Sequence, residues 1–172
     1  GWGTDTVPGS VLVLEPEGDR HVATVHLREA AGRDSDEFYA NSDIGEFWVG
    51  RRPSLSDVAT DLALETGSLR AFLDSGLDAL DWSVPTLIIP DADPALTTRI
   101  DALRPPLEDP ETANDADLVR DVSELRLVKD AYEIEQMRLA IRATKDGFDD
   151  VIRDLDAVVA HPRGERVVEG TF

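Results

Sequence analysis

Between Asp130 and Asp156 the apolar residues Ile134, Met137, Ile141, Phe148, Val151, Ile152 and Leu155 recur at helical spacing. A helix with so long an apolar stripe requires a surface to cover it. Asp130 followed by Glu133 supplies the start, because each side chain can take up an amide that the first helical turn leaves without a partner. The spacing predicts a helix to about Asp156. Its cations Arg138, Arg142 and Lys145 alternate with Glu135, Asp146 and Asp149. Pairs at such spacing are worth about 0.2–0.5 kcal/mol each. They account for a basic face on a chain whose net charge is −19: the cations balance charge locally.

The rest of the chain alternates strand and helix signals. Two β-rich runs, Val11–Glu15 and His21–Leu27, flank the polar stretch EPEGDR and predict an antiparallel hairpin with a turn of four to six residues. A long polar segment, AAGRDSDEFYANSDIGEFWVGRRPS, then carries Phe38, Tyr39, Phe47 and Trp48. These are more aromatic residues than a solvated loop needs, so the segment packs on its own domain or serves a function. A helix is expected next, capped by Ser54 or Ser56 and ended by Gly67, and a second over SLRAFLDSGLDAL. The apolar run between Pro85 and Pro90 reads as a buried strand. The stretch DPALTTRIDAL reads as a helix with Pro94 in its first turn, and RPPLEDPETAND breaks it.

Charge and residue usage exclude several functions. With 36 acidic against 17 basic side chains, the field repels phosphate backbones, and GRR at 50–52 is too small a cluster to reverse it. No nucleic-acid partner is expected. No apolar run approaches the length of a membrane span. Cysteine is absent, which removes disulfides, thiolate metal sites and Cys nucleophiles, and fits a reducing cytoplasm. His21 and His26 stand five apart in one strand and so point to opposite faces; both are expected at a solvent or edge position, and His161 in a surface loop. No zinc, calcium-loop, phosphate-loop, dinucleotide or serine-nucleophile motif occurs. Spacing alone shows no catalytic apparatus.

Three segments, in order, carry a resemblance to a known family. GWGTDTVPGSVLVLEP looks like the hairpin entry of the aminopeptidase P amino-terminal domain. EFWVGRR resembles that domain's stretch of Glu, an aromatic, Trp, an aromatic or aliphatic residue, then Gly-Arg-Arg. ELRLVKDAYEIEQMRLAIRATKDGF resembles the linker and first catalytic-domain helix of the Xaa-Pro aminopeptidase, prolidase and creatinase-like metallopeptidases. The resemblance implies an α/β fold, a mixed sheet flanked by helices over residues 1–121 and incomplete at its start. Over 122–172 it implies the linker and long first helix of a pita-bread domain that is otherwise absent.

In such a parent, the resemblance implies, an Asp, Asp, His, Glu, Glu set holds two divalent metals, commonly manganese, and a metal-bound hydroxide attacks the bond before proline. None of those ligands is expected in this chain, nor any catalytic residue. The parent is expected to be a cytoplasmic homo-oligomer acting on proline-containing peptides. Trp48 is the candidate aromatic wall of the peptide cleft, its flat face suited to a proline ring; a packed surface-loop Trp is the other reading. Arg126 could meet a peptide carboxylate through its two-pronged donor geometry, or else form an interdomain salt bridge. Arg51 and Arg52 are expected in interface ion pairs. Two rivals stand beside this reading: a standalone interaction module, and part of another creatinase-fold amidohydrolase.

Overall fold

The computed structural model describes residues 7–106 and 114–172. They form two compact units. The first takes in the described residues to Val84 together with Leu103–Pro105, and the second Pro85–Ala102 and Pro106–Phe172. The first unit is mixed α/β and the second is helical.

In the first unit β1 (Val11–Glu17) and β2 (Arg20–Leu27) form the expected hairpin. Val11 stands opposite His26 and Glu17 opposite Arg20, so only Gly18 and Asp19 make the turn. The predicted four-to-six-residue turn is therefore too long: Pro16 and Glu17 remain in the strand, and proline is tolerated there because β1 lies at the sheet edge. The third strand, β3 (Glu65–Ser68), pairs parallel to β2 with Leu27 opposite Ser68, giving the order β1-β2-β3. The sequence reading assigned Glu65–Gly67 to the end of a helix. That helix, α3 (Leu55–Leu62), instead stops at Ala63 in the left-handed region (φ 53°), and the sheet takes the next residues.

Ser54 caps α3 in a reciprocal box. Its hydroxyl accepts from the Asp57 amide at 3.1 Å, while the Ser54 amide donates to the Asp57 carboxylate at 2.9 Å. Adjacent strand residues point to opposite faces, and both faces of β2 are covered. Leu27 and Val25 pack with Val7, Val58, Leu55 and Leu62 beneath α3. His26, on the other face, stacks on Phe72 with ring centroids 4.1 Å apart and planes 17° from parallel. Phe72 belongs to one irregular helical run: α4 (Leu69–Ala71) continues through a π turn (Phe72–Gly76) into a 3-10 turn (Leu77–Ala79).

His26 is thus a packed residue rather than the solvent or edge histidine expected. Its Nδ1 is buried and meets no protein partner among the described residues. Burial lowers its pKa below the ordinary value, with the Glu15 carboxylate pulling the other way.

The second unit contains α5 (Pro94–Leu103), α6 (Asp115–Leu127), α7 (Ala131–Arg153), α8 (Leu155–Ala160) and α9 (Gly164–Thr171). The expected strand between Pro85 and Pro90 does not form. Its residues join no strand, and the Ile88 amide donates instead to the Asp115 carboxylate at 2.9 Å. An apolar run signals burial; it does not supply a neighbouring strand edge. Residues 121 and 122 are consecutive positions of α6. The start of α7 is as expected, with Asp130 accepting from the Glu133 amide at 2.8 Å and its own amide donating to Glu133 at 2.9 Å. The helix ends at Arg153, three residues before the predicted stop. No helix among the described residues is long and apolar enough to cross a membrane.

Gly67 is where β3 lies against the stacked histidine. A Cβ there would fall 2.7 Å from His26 Nδ1, and the ring cannot retreat because Phe72 backs it. We predict that Gly67→Ala lowers the stability of the first unit by about 1–3 kcal/mol, read as faster hydrogen exchange of the β2 amides. An unchanged exchange rate would show that the ring has room to move.

Candidate functional site

The long polar segment after β2 folds into two single-turn helices, α1 (Asp36–Ala40) and α2 (Glu46–Val49). Neither is long enough to be stable alone, since helix nucleation is unfavourable. The corner between them is fixed locally. Asn41 Oδ1 accepts from the amides of Asp43 and Ile44 at 2.9 and 3.3 Å. Gly45 sits so close to α1 that a Cβ would lie 2.5 Å from the Asn41 carbonyl oxygen and 2.8 Å from those of Glu37 and Phe38. Only glycine fits there without displacing backbone.

The corner displays an aromatic shelf. Tyr39 and Phe47 have ring centroids 5.5 Å apart, and Phe47 meets Trp48 edge-on at 5.0 Å. Tyr39, Phe47 and Trp48 are 52%, 59% and 58% exposed. Trp48 nonetheless has a fixed orientation, because its indole Nε1–H donates to the Tyr39 carbonyl at 2.8 Å. A ring tied at one edge and more than half exposed is what a flat apolar ligand group could cover.

The same segment contains a residue whose place differs from the sequence expectation. Arg52 is expected in an interface ion pair, yet it is buried within the first unit, its side chain 5% exposed. Its Nη2 donates to Glu37 Oε1 at 2.6 Å and its Nε approaches Glu46 Oε1 at 3.4 Å. That same Glu46 oxygen accepts from the Ala31 amide at 3.0 Å, and Arg28 Nη1 lies 3.4 Å from Glu37 Oε2. Two cations and two carboxylates thus form one neutral cluster. Arg52 Nη1 is buried without a protein acceptor among the described residues. Arg51 behaves differently, reaching Asp57 at 3.7 Å on the surface. The Arg52 hydrogen bond is the main cause holding the Glu37 carboxyl below its ordinary pKa.

Arg126 lies in the second unit, in the last turn of α6, with its side chain exposed. Its carbonyl accepts from Lys129 Nζ at 2.6 Å, so the lysine neutralises the end of the helix dipole. Its guanidinium makes no ion pair among the described residues. His161 is exposed, its Nδ1 accepting from the Arg163 amide at 3.1 Å. No group of three His, Asp or Glu side chains among the described residues converges to hold a metal.

Comparison with known proteins extends the resemblance carried by the motifs. The chain is 36% identical over 186 aligned residues to Xaa-Pro aminopeptidase 1 of Streptomyces coelicolor, and equally to that of Streptomyces lividans; the alignment takes in 99% of this chain and 32% of each relative. To Xaa-Pro aminopeptidase 2 of Streptomyces coelicolor it is 36% identical over 169 residues, 98% of this chain and 33% of that one. The chain spans about a third of the length of the curated relatives it matches. No protein-family model matches it, and no solved structure does. Along essentially its whole length the chain is related to Xaa-Pro aminopeptidases, which supports the aminopeptidase P family.

The depressed Glu37 pKa gives a pH prediction with a definite sign. A carboxyl whose folded pKa lies below its unfolded value stabilises the fold fully above the unfolded value of about 4.3. That contribution is lost as pH falls through the depressed folded value. The near-ultraviolet circular dichroism of the aromatic shelf should therefore hold down to about pH 4 and fade below it. Fading already near the histidine range would contradict this assignment.

Proposed function

We propose that this chain is the amino-terminal, non-catalytic portion of a longer metal-dependent aminopeptidase that removes the first residue from Xaa-Pro peptides. In that reading it shapes the substrate cleft and contributes subunit contacts in a cytoplasmic homo-oligomer, while divalent metals, manganese first among them, belong to another part of the polypeptide. The observation that carries the reading is the 36% identity over 99% of this chain to Xaa-Pro aminopeptidase 1 of Streptomyces coelicolor. Trp48 supports it, being oriented by the Tyr39 carbonyl and more than half exposed. A proline ring laid on the indole would bury apolar area on both partners without a polar group to satisfy. Arg126 would take the carboxylate of a short peptide in the bidentate manner that guanidinium allows.

A second reading, a standalone interaction module, is favoured by one feature. Ile134, Met137, Ile141, Phe148 and Ile152 on α7 are all exposed, apolar residues of the kind that bind partners.

The test begins with the coding frame after Phe172 and proceeds to the polypeptide it encodes, assayed on an Xaa-Pro tripeptide. We expect cleavage by the longer polypeptide and none by the 172-residue chain. Trp48→Ala should lower kcat/KM by about tenfold, the scale of one lost aromatic contact. A stop codon directly after Phe172, or full activity of the variant, would contradict the corresponding part of the proposal.

A further inference from the structure

We infer that Arg52 is a positioning residue, whose buried guanidinium sets the orientation of the Tyr39–Phe47–Trp48 shelf by clamping Glu37 and Glu46 together. Each carboxylate shares a single-turn helix with part of the shelf. Glu37 and Tyr39 lie on α1, and Glu46, Phe47 and Trp48 lie on α2. The three shelf rings are more than half exposed, so core burial does not hold them. The short helices cannot hold them either. The Trp48 indole bond to the Tyr39 carbonyl and the contacts among the rings tie the shelf to itself; the Asn41–Gly45 corner fixes the chain path, and the Arg52 clamp holds the two helices to each other and, through Glu46, to the Ala31 amide.

The geometry needs arginine rather than a generic cation. One guanidinium addresses two carboxylates through two separate nitrogens, Nη2 to Glu37 and Nε to Glu46. A lysine ammonium is a single point of charge and cannot span the pair in the same way. Without Arg52, Glu46 would stay buried with its side chain 10% exposed and only the Ala31 amide as partner. A buried charge in that condition moves toward water, and α2 would carry Trp48 with it. The functional consequence of this positioning rests on the peptide-cleft reading of Trp48; the positioning itself does not.

The experiment uses the whole chain, labelled with nitrogen-15. It follows the indole Nε1–H resonance of Trp48, assigned by its loss in Trp48→Phe, and the exchange of the Ala31 amide. In Arg52→Met the Trp48 indole resonance should move to the position of a free, hydrated indole. Ala31 exchange should accelerate by about tenfold or more while the β2 amides keep their protection. Arg52→Lys should give partial recovery. Unchanged Trp48 and Ala31 signals in Arg52→Met would overturn the inference. Should Arg52→Met also strip protection from β2, Glu46→Gln decides: release of Ala31 and Trp48 with β2 intact supports the clamp, and no change overturns it. In the longer polypeptide, an Arg52→Met variant that frees Trp48 but cleaves Xaa-Pro peptide normally would refute the cleft reading of Trp48 and leave the clamp standing.

Discussion

A guanidinium removed from water must find its counter-charges inside the protein, and the most informative part of this structure is organised around one that does. Breaking a buried ion pair by removing one partner costs about 3–5 kcal/mol, far more than the pair is worth against an apolar replacement. Burial of Arg52 therefore constrains more than it stabilises. It requires Glu37 and Glu46 to converge, and with them two helical turns that have no core of their own. The stretch EFWVGRR then has a physical reading. Its first residue, Glu46, and its last, Arg52, meet inside the protein and hold the intervening Trp48 outward.

The second unit presents a different problem. None of α5 through α9 contains a fully buried residue. α7 has a good cap and a set of surface ion pairs. Glu135 takes both Arg138 and Arg142, at 3.8 and 2.9 Å, and Lys145 pairs with Asp149. Such pairs contribute a few tenths of a kcal/mol each, and a helix of this length owes most of its stability to a packed face. Phe172 covers part of it, its ring edge-on to Phe148 at 5.3 Å and close over Gly147. The rest of the stripe is open, with Ile134, Met137, Ile141 and Ile152 all exposed.

Sequence legibility followed the strength of local rules. The hairpin, α3, α5 and the cap of α7 were readable because period, proline position and capping chemistry act within a few residues. β3 was not, because Glu-Thr-Gly-Ser carries no strand pattern and becomes a strand only by lying beside β2. The capping boxes of α3 and α6 use Asp at the third helical position, Asp57 and Asp117, where the familiar pattern has Glu or Gln. α1 and α2 are single turns within a polar segment, below what periodicity can detect. The sequence singled out Trp48, in the first unit, and Arg126, in the second, through family resemblance. It missed Arg52's burial, since an arginine beside another arginine reads as surface charge; the available signal was a pair of glutamates, 37 and 46, flanking the aromatic residues.

The most direct test of this account is a double-mutant cycle on Arg52 and Glu37, with a parallel cycle on the neighbouring surface pair Arg51 and Asp57 as reference. Stability of the first unit would be read from exchange of the β2 amides. If Arg52 organises the segment, its coupling to Glu37 should be at least about 1 kcal/mol, against no more than about 0.5 kcal/mol for the exposed pair. A coupling for Arg52 and Glu37 no larger than that of Arg51 and Asp57 would contradict the account, because the shelf would then be held by something other than the buried guanidinium.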